Sequence, residues 1–177
     1  MRASLLGLDE PEYVTETGHR IWGGMPIELE MAELLYGIVR YAKPEVVIES
    51  GTGSGRSTQA ISAALVHNGK GVVYSYETVE EFRLLALAAF TGRENVFIRD
   101  GFSREAEEVP DLVFIDTGGG PEQREPEITH WLEHESKPLV VVHDGARAYE
   151  SFALGDGVTI FGNDGVWVGR GRVGAAR

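Results

Sequence analysis

Cysteine is absent from all 177 residues, which removes disulfides, thiolate nucleophiles and zinc–thiolate sites at once. Any metal must therefore be held by oxygen or imidazole. Positive charge is scarce, with 16 Lys and Arg against 28 Asp and Glu, a net charge of -12 and a pI near 4.8. Affinity for a phosphate backbone comes mainly from clustered Lys and Arg, so no nucleic-acid partner is expected. Long apolar runs are missing too. No segment approaches the roughly 20 residues that span a bilayer, and the opening MRASLLGLDEPE turns acidic before a secretory apolar region could form. The expectation is a cytoplasmic protein without membrane association. Repeats and low-complexity tracts are also lacking, and the length suits one sizeable core rather than two ordinary domains.

What is present alternates short apolar runs with helical periods. Residues 1–26, with Trp22 and Met25 among glycines and charges, read as an N-terminal arm or lid over a ligand. Left uncovered, those side chains would instead mark a homo-oligomer contact. Ile27, Met31, Leu34, Leu35, Ile38 and Val39 recur at helical spacing after Pro26, and that helix ends near Lys43-Pro44. VVIESGTGSGRS, residues 46–57, is a buried-strand run, then an acid, then glycines at 51, 53 and 55, and a helix from Ser57 to His67 follows.

The pattern repeats. Val72 to Glu77 reads as a strand, and Thr78 with Glu81 forms a capping box that opens a helix running to Thr91-Gly92. Further strands are predicted at Asn95 to Arg99, Leu112 to Asp116 and Leu139 to His143, and Val158 to Phe161 with Val166 to Val168 as a closing hairpin. Residues 171–177 read as a disordered tail. This order predicts an α/β, doubly wound parallel sheet with an antiparallel edge. In such a sheet ligands bind beyond the carboxyl ends of the strands. Those ends carry Glu49, Glu77, Asp100, Asp116 and Asp144.

Glu49-x-Gly51-x-Gly53-x-Gly55 after the first strand, Glu77 ending the second and Asp116 ending the fourth resemble class I S-adenosylmethionine-dependent methyltransferases. GTGSGRST and the Gly101-Phe102 turn are closest to the small-molecule O-methyltransferases. The resemblance covers about residues 27–170 and implies a Rossmann-like seven-stranded sheet of order 3-2-1-4-5-7-6 with strand 7 antiparallel. It implies methyl transfer from S-adenosylmethionine to a small-molecule acceptor at a hydroxyl. The cofactor would be bound by Glu49, Gly51, Thr52, Gly53, Gly55, Ser57, Glu77, Thr78, Gly101, Phe102 and Asp116, with Gly101 and Phe102 against the adenine. The residues agree on the cofactor. A pyrophosphate of NAD calls for G-x-G-x-x-G at a helix N-terminus, whereas here the sixth position is Arg56. An acid at 49 suits the cationic methionine part, and Glu77 can accept both ribose hydroxyls. An NAD(P)-binding oxidoreductase and a non-catalytic Rossmann-like binding or assembly module are the competing readings.

Two chemistries could activate the acceptor. Asp116 and Asp144, on neighbouring strands about 5 Å apart, could hold Mg2+ or Mn2+ and lower the hydroxyl's pKa. Alternatively His143 or Asp144 could act as a general base without metal, an imidazole near neutrality being suited to that task. Arg147 and Tyr149 could line the acceptor pocket, and His130 with His134 has the spacing of a helix-borne zinc pair without an evident third ligand.

Overall fold

The computed structural model describes residues 13–14, 20–21, 27–118, 121–144, 156–160 and 166–170. The expectations for Trp22 and Met25, for Arg147 and Tyr149, and for the tail at 171–177 lie outside them. Of the arm, Tyr13–Val14 and Arg20–Ile21 form a two-stranded antiparallel ribbon.

The main sheet takes its strands from the predicted runs: β1 (Val46–Ser50), β2 (Val72–Glu77), β3 (Val96–Asp100), β4 (Leu112–Ile115), β5 (Leu139–Val142), β6 (Asp156–Ile160) and β7 (Val166–Arg170). Their spatial order is β3-β2-β1-β4-β5-β7-β6. The first five run parallel, and β7 is antiparallel to both β5 and β6, so the predicted order and the reversed strand are both observed. Helices α1 (Leu29–Ala42), α2 (Arg56–Asn68), α3 (Glu80–Ala89) and α4 (Pro121–Glu133) cover the faces, with a 3-10 turn at Ser103–Glu105.

Strands covered on both faces must be apolar on both, which is why β1, β4 and β5 read as runs rather than alternations. Alternate residues serve separate cores. Val47, Phe114 and Val141 pack with Leu35, Val39, Ile61 and Leu65 of α1 and α2, while Ile48, Val113, Ile115, Val140 and Val142 pack with Ile128 and Trp131 of α4. Lys43 and Gly69 close α1 and α2 in the left-handed conformation. No helix among the described residues is long and apolar enough to cross a membrane.

Candidate functional site

β1 pairs with β2 on one side and β4 on the other, so strand order reverses beside its carboxyl end, where an open sheet leaves a crevice. There lies a cavity of about 530 Å³. Among the predicted site residues, Gly51, Thr52, Gly53, Ser57, Glu77, Thr78, Gly101, Phe102, Asp116, His143 and Asp144 line it. Glu49 and Gly55 are not among its lining residues.

The parity of β1 explains Glu49. Like Val47 it points toward α2, where it is fully buried and accepts hydrogen bonds from Thr58 Oγ1 at 2.5 Å and Ser75 Oγ at 2.6 Å. Burial pushes its carboxyl up to about 7, against the hydroxyls of Ser57, Ser75 and Thr58 that favour the charged form. Glu49, expected to meet the cationic end of a cofactor, lies buried beneath the glycine loop, outside the cavity lining. Gly55, the N-cap of α2 at φ 83, has Phe90 so close that a Cβ would enter its ring. That glycine serves packing.

Gly53 and Glu77 act together. The Gly53 N–H donates to Glu77 Oε2 at 2.8 Å, and the Val79 N–H donates to Oε1 at 2.9 Å. Each carboxylate oxygen keeps a further lone pair, so a nearly buried, doubly anchored acceptor lines the cavity. The predicted capping box at Thr78 is not formed: Val79 is the N-cap of α3, and its apolar side chain makes no cap bond. Thr78 is left exposed at the cavity wall. Past β3, Gly101 turns at φ 99 and presents Phe102, 37% exposed. Asp100 points outward, 3.7 Å from Arg83 Nε.

At the far end, Asp116, His143 and Asp144 follow β4 and β5 directly. His143 Nδ1 lies 3.0 Å from Asp116 Oδ1 and Nε2 lies 3.0 Å from Glu28 Oε2, just ahead of α1. Burial alone would lower this imidazole, but Asp116, Glu28 and Asp144 outweigh it and hold it at about 10. Burial likewise pushes the Asp116 carboxyl up, yet His143 and Arg124 overcome that and leave it below its ordinary value. Asp144 is raised, chiefly by burial. It adopts a left-handed backbone at φ 52, which a non-glycine residue rarely holds. Its carboxylate neighbours thus raise His143 well above the near-neutral range in which an imidazole serves best as a base.

The donors for the expected divalent ion stand together, since Asp116, His143 and Asp144 each offer a ligand atom within 4.8 Å of the others. Their partners do not suit it. Arg124 Nη2 donates to Asp116 Oδ1 at 3.2 Å while Nη1 and Nε hold the carbonyls of His143 and Thr117. His143 has both ring nitrogens at 3.0 Å from carboxylate oxygens of Asp116 and Glu28, and Asp144 has no cation at hydrogen-bond distance. Arg124, and His143 when protonated, bring positive charge to Asp116 from the protein itself.

Arg124 and Glu127 of α4 also line the cavity and were not anticipated. They stand three apart, at helical spacing from the buried Ile128 and Trp131. Charges set within an apolar helical stripe are the signal that could have identified them. His130 and His134 pack around Trp131 with ring centroids 5.7 Å apart, and His134 Nδ1 lies 2.9 Å from Ser136 Oγ. Among the described residues no third ligand joins them.

A family described as methyltransferase domain matches residues 48–145. No curated protein matches the chain by sequence. Among solved structures, the chain is similar to the methyltransferase PaMTH1 of Podospora anserina, bound to S-adenosylhomocysteine (SAH), at 16% identity and TM-score 0.67, covering 81% of this chain and 78% of that one. An O-methyltransferase from Bacillus cereus in complex with SAH matches at 18% identity, 81% of each chain and TM-score 0.61. TomG of Streptomyces achromogenes, an O-methyltransferase involved in tomaymycin synthesis, in complex with S-adenosylmethionine, matches at 17% identity, 80% of this chain and 78% of that one, with TM-score 0.56. At such identities the likeness is one of fold.

Proposed function

Because the chain belongs to the methyltransferase-domain family, of the class I S-adenosylmethionine-dependent kind, we propose that it methylates a small-molecule acceptor at a hydroxyl oxygen, without a metal ion. The observation that carries the cofactor assignment is Glu77, lining the cavity at the end of β2 with both oxygens fixed by backbone N–H groups. A carboxylate so held accepts two neighbouring hydroxyls of a ribose without first having to be ordered. The loop residues Gly51, Thr52 and Gly53 with Ser57 flank the methionine part, and Gly101 and Phe102 flank the adenine.

Bound S-adenosylmethionine supplies an electrophilic methyl group on a sulfonium. Transfer to an acceptor oxygen would break the C–S bond as the C–O bond forms and yield SAH, so the hydroxyl would have to give up its proton. Asp144 takes that proton, because its side chain is 40% exposed and its raised pKa makes it a stronger base than an ordinary aspartate. His143 and Arg124 act by charge: they hold Asp116 ionised and fix the backbone from which Asp144 projects.

Calorimetric titration with SAH, with NAD as control, tests the cofactor, and tighter binding of NAD would overturn the assignment. A screen of hydroxylated compounds for methyl incorporation from S-adenosylmethionine then tests the chemistry. Transfer should persist in EDTA and fall about 10²- to 10⁴-fold in Asp144→Asn. Loss of transfer in EDTA with recovery on adding Mg2+ would sink the metal-free mechanism.

A further inference from the structure

The turn after β3 hands three consecutive residues to different neighbours. Phe102 lines the cavity. Ser103 is buried, and its hydroxyl bonds Glu127 and receives the Trp131 Nε1–H at 3.0 Å. Arg104 lays its guanidinium 4.2 Å from the centre of the Phe102 ring and 3.6 Å from Glu127 Oε1. Glu127 itself is 0% exposed and is tied to the end of β1 by Ser50 Oγ at 3.2 Å. Its Oε1 has no hydrogen bond among the described residues, so Arg104 is the nearest positive charge it has there. Burying a carboxylate in this way is costly unless its partners are fixed. Here the fixed partners belong to the wall of the cofactor cavity.

We propose that Glu127 is a positioning residue for the cofactor's purine, acting through Arg104 on Phe102. The carboxylate holds the guanidinium, the guanidinium covers one face of the Phe102 ring, and the opposite face is left for a planar base. A cation against one face also fixes the ring's tilt, since the attraction requires the charge to stand over the π-system. Ser50 and Ser103 make the same carboxylate the joint between β1 and the turn, so the ring's height above the sheet is set by Glu127 as well. The inference rests on the reading of Phe102 as the adenine partner.

A double-mutant cycle in SAH affinity tests it, with the free proteins' melting temperatures followed in parallel. Phe102→Ala and Glu127→Gln should each raise the SAH dissociation constant, by about tenfold, which is the scale of one well-placed cation–π or stacking contact. The double variant should bind no worse than Phe102→Ala alone, within about threefold, because the two residues form one device. Should Glu127→Gln fail to fold, Arg104→Met, at a partly exposed side chain, replaces it in the same cycle with the same expectation. Losses that multiply would show Glu127 acting independently of the ring and overturn the relay. Wild-type affinity in both Glu127→Gln and Arg104→Met, with Phe102→Ala weakened, would overturn the relay alone. Wild-type affinity in Phe102→Ala would show that the purine does not lie on this ring, and the site reading would fall with the relay.

Discussion

Replacing His143 by Gln should flatten the protein's stability profile in alkali. In the folded chain the imidazole is held at about 10, against 6.5 for an ordinary one. The folded state binds this proton more tightly than the unfolded state does, so the stabilisation is fully present below about pH 6.5 and is lost as the pH rises through 10. At 1.36 kcal/mol per decade, a rise from 6.5 to about 10 corresponds to at most about 5 kcal/mol. The attraction to Asp116 also appears as that residue's lowered pKa, and it counts once. About 2 to 4 kcal/mol is therefore the expected size. Urea unfolding of wild type and His143→Gln between pH 6 and 10.5 measures it, the difference between the two proteins cancelling the titration of lysines and tyrosines elsewhere. The wild type should be the more stable by that margin near pH 6, and the two should converge above pH 10. Parallel profiles, or a gap that widens with pH, would refute the charged imidazole and the role given to its two ion pairs.

Glu77→Ala should weaken SAH binding by about 1.5 to 3 kcal/mol, the scale of hydrogen bonds to a charged group, or roughly 10- to 150-fold; a calorimetric dissociation constant within threefold of wild type would remove Glu77 from the ribose. Glu49→Gln should abolish a fall in stability that the wild type shows as its buried carboxyl, at about 7, ionises between pH 4.5 and 7. That fall should amount to about 1 to 3 kcal/mol in denaturant melts, and a slope unchanged in the variant would show that Glu49 carries its charge in the folded chain at little cost.

The sheet was legible because parallel strands buried on both faces must be apolar throughout, and β1, β4 and β5 announce themselves that way. The acids at strand ends were legible as a group, but their directions were not. Glu49 and Ser50 are adjacent in sequence, yet one turns under α2 to Thr58 and the other toward Glu127 on α4. That choice depends on which helix covers which face, and a run without alternation does not reveal it. The capping box at Thr78 does not form because α3 begins one residue later, with Val79 as its N-cap. Arg124 and Glu127 stayed hidden because a charged pair on a helix ordinarily means a solvated face. Their helical spacing from Ile128 and Trp131 was the available hint, and the packing of Trp131 and Ser103 shows that this stretch of α4 looks inward.

Gly51 sits at φ 91 with no room for a side chain between its backbone and that of Asp116 and Thr117. The loop after β1 and the loop after β4 are consequently in direct main-chain contact, and they behave as a single machined joint. A substitution at 51 would wedge the two strand ends apart and displace the glycine loop and the Asp116 cluster together. The geometry of the two half-sites is therefore not separately adjustable from this position, whereas α4 contributes Gln123, Arg124 and Glu127 to the cavity lining and can be varied on its own.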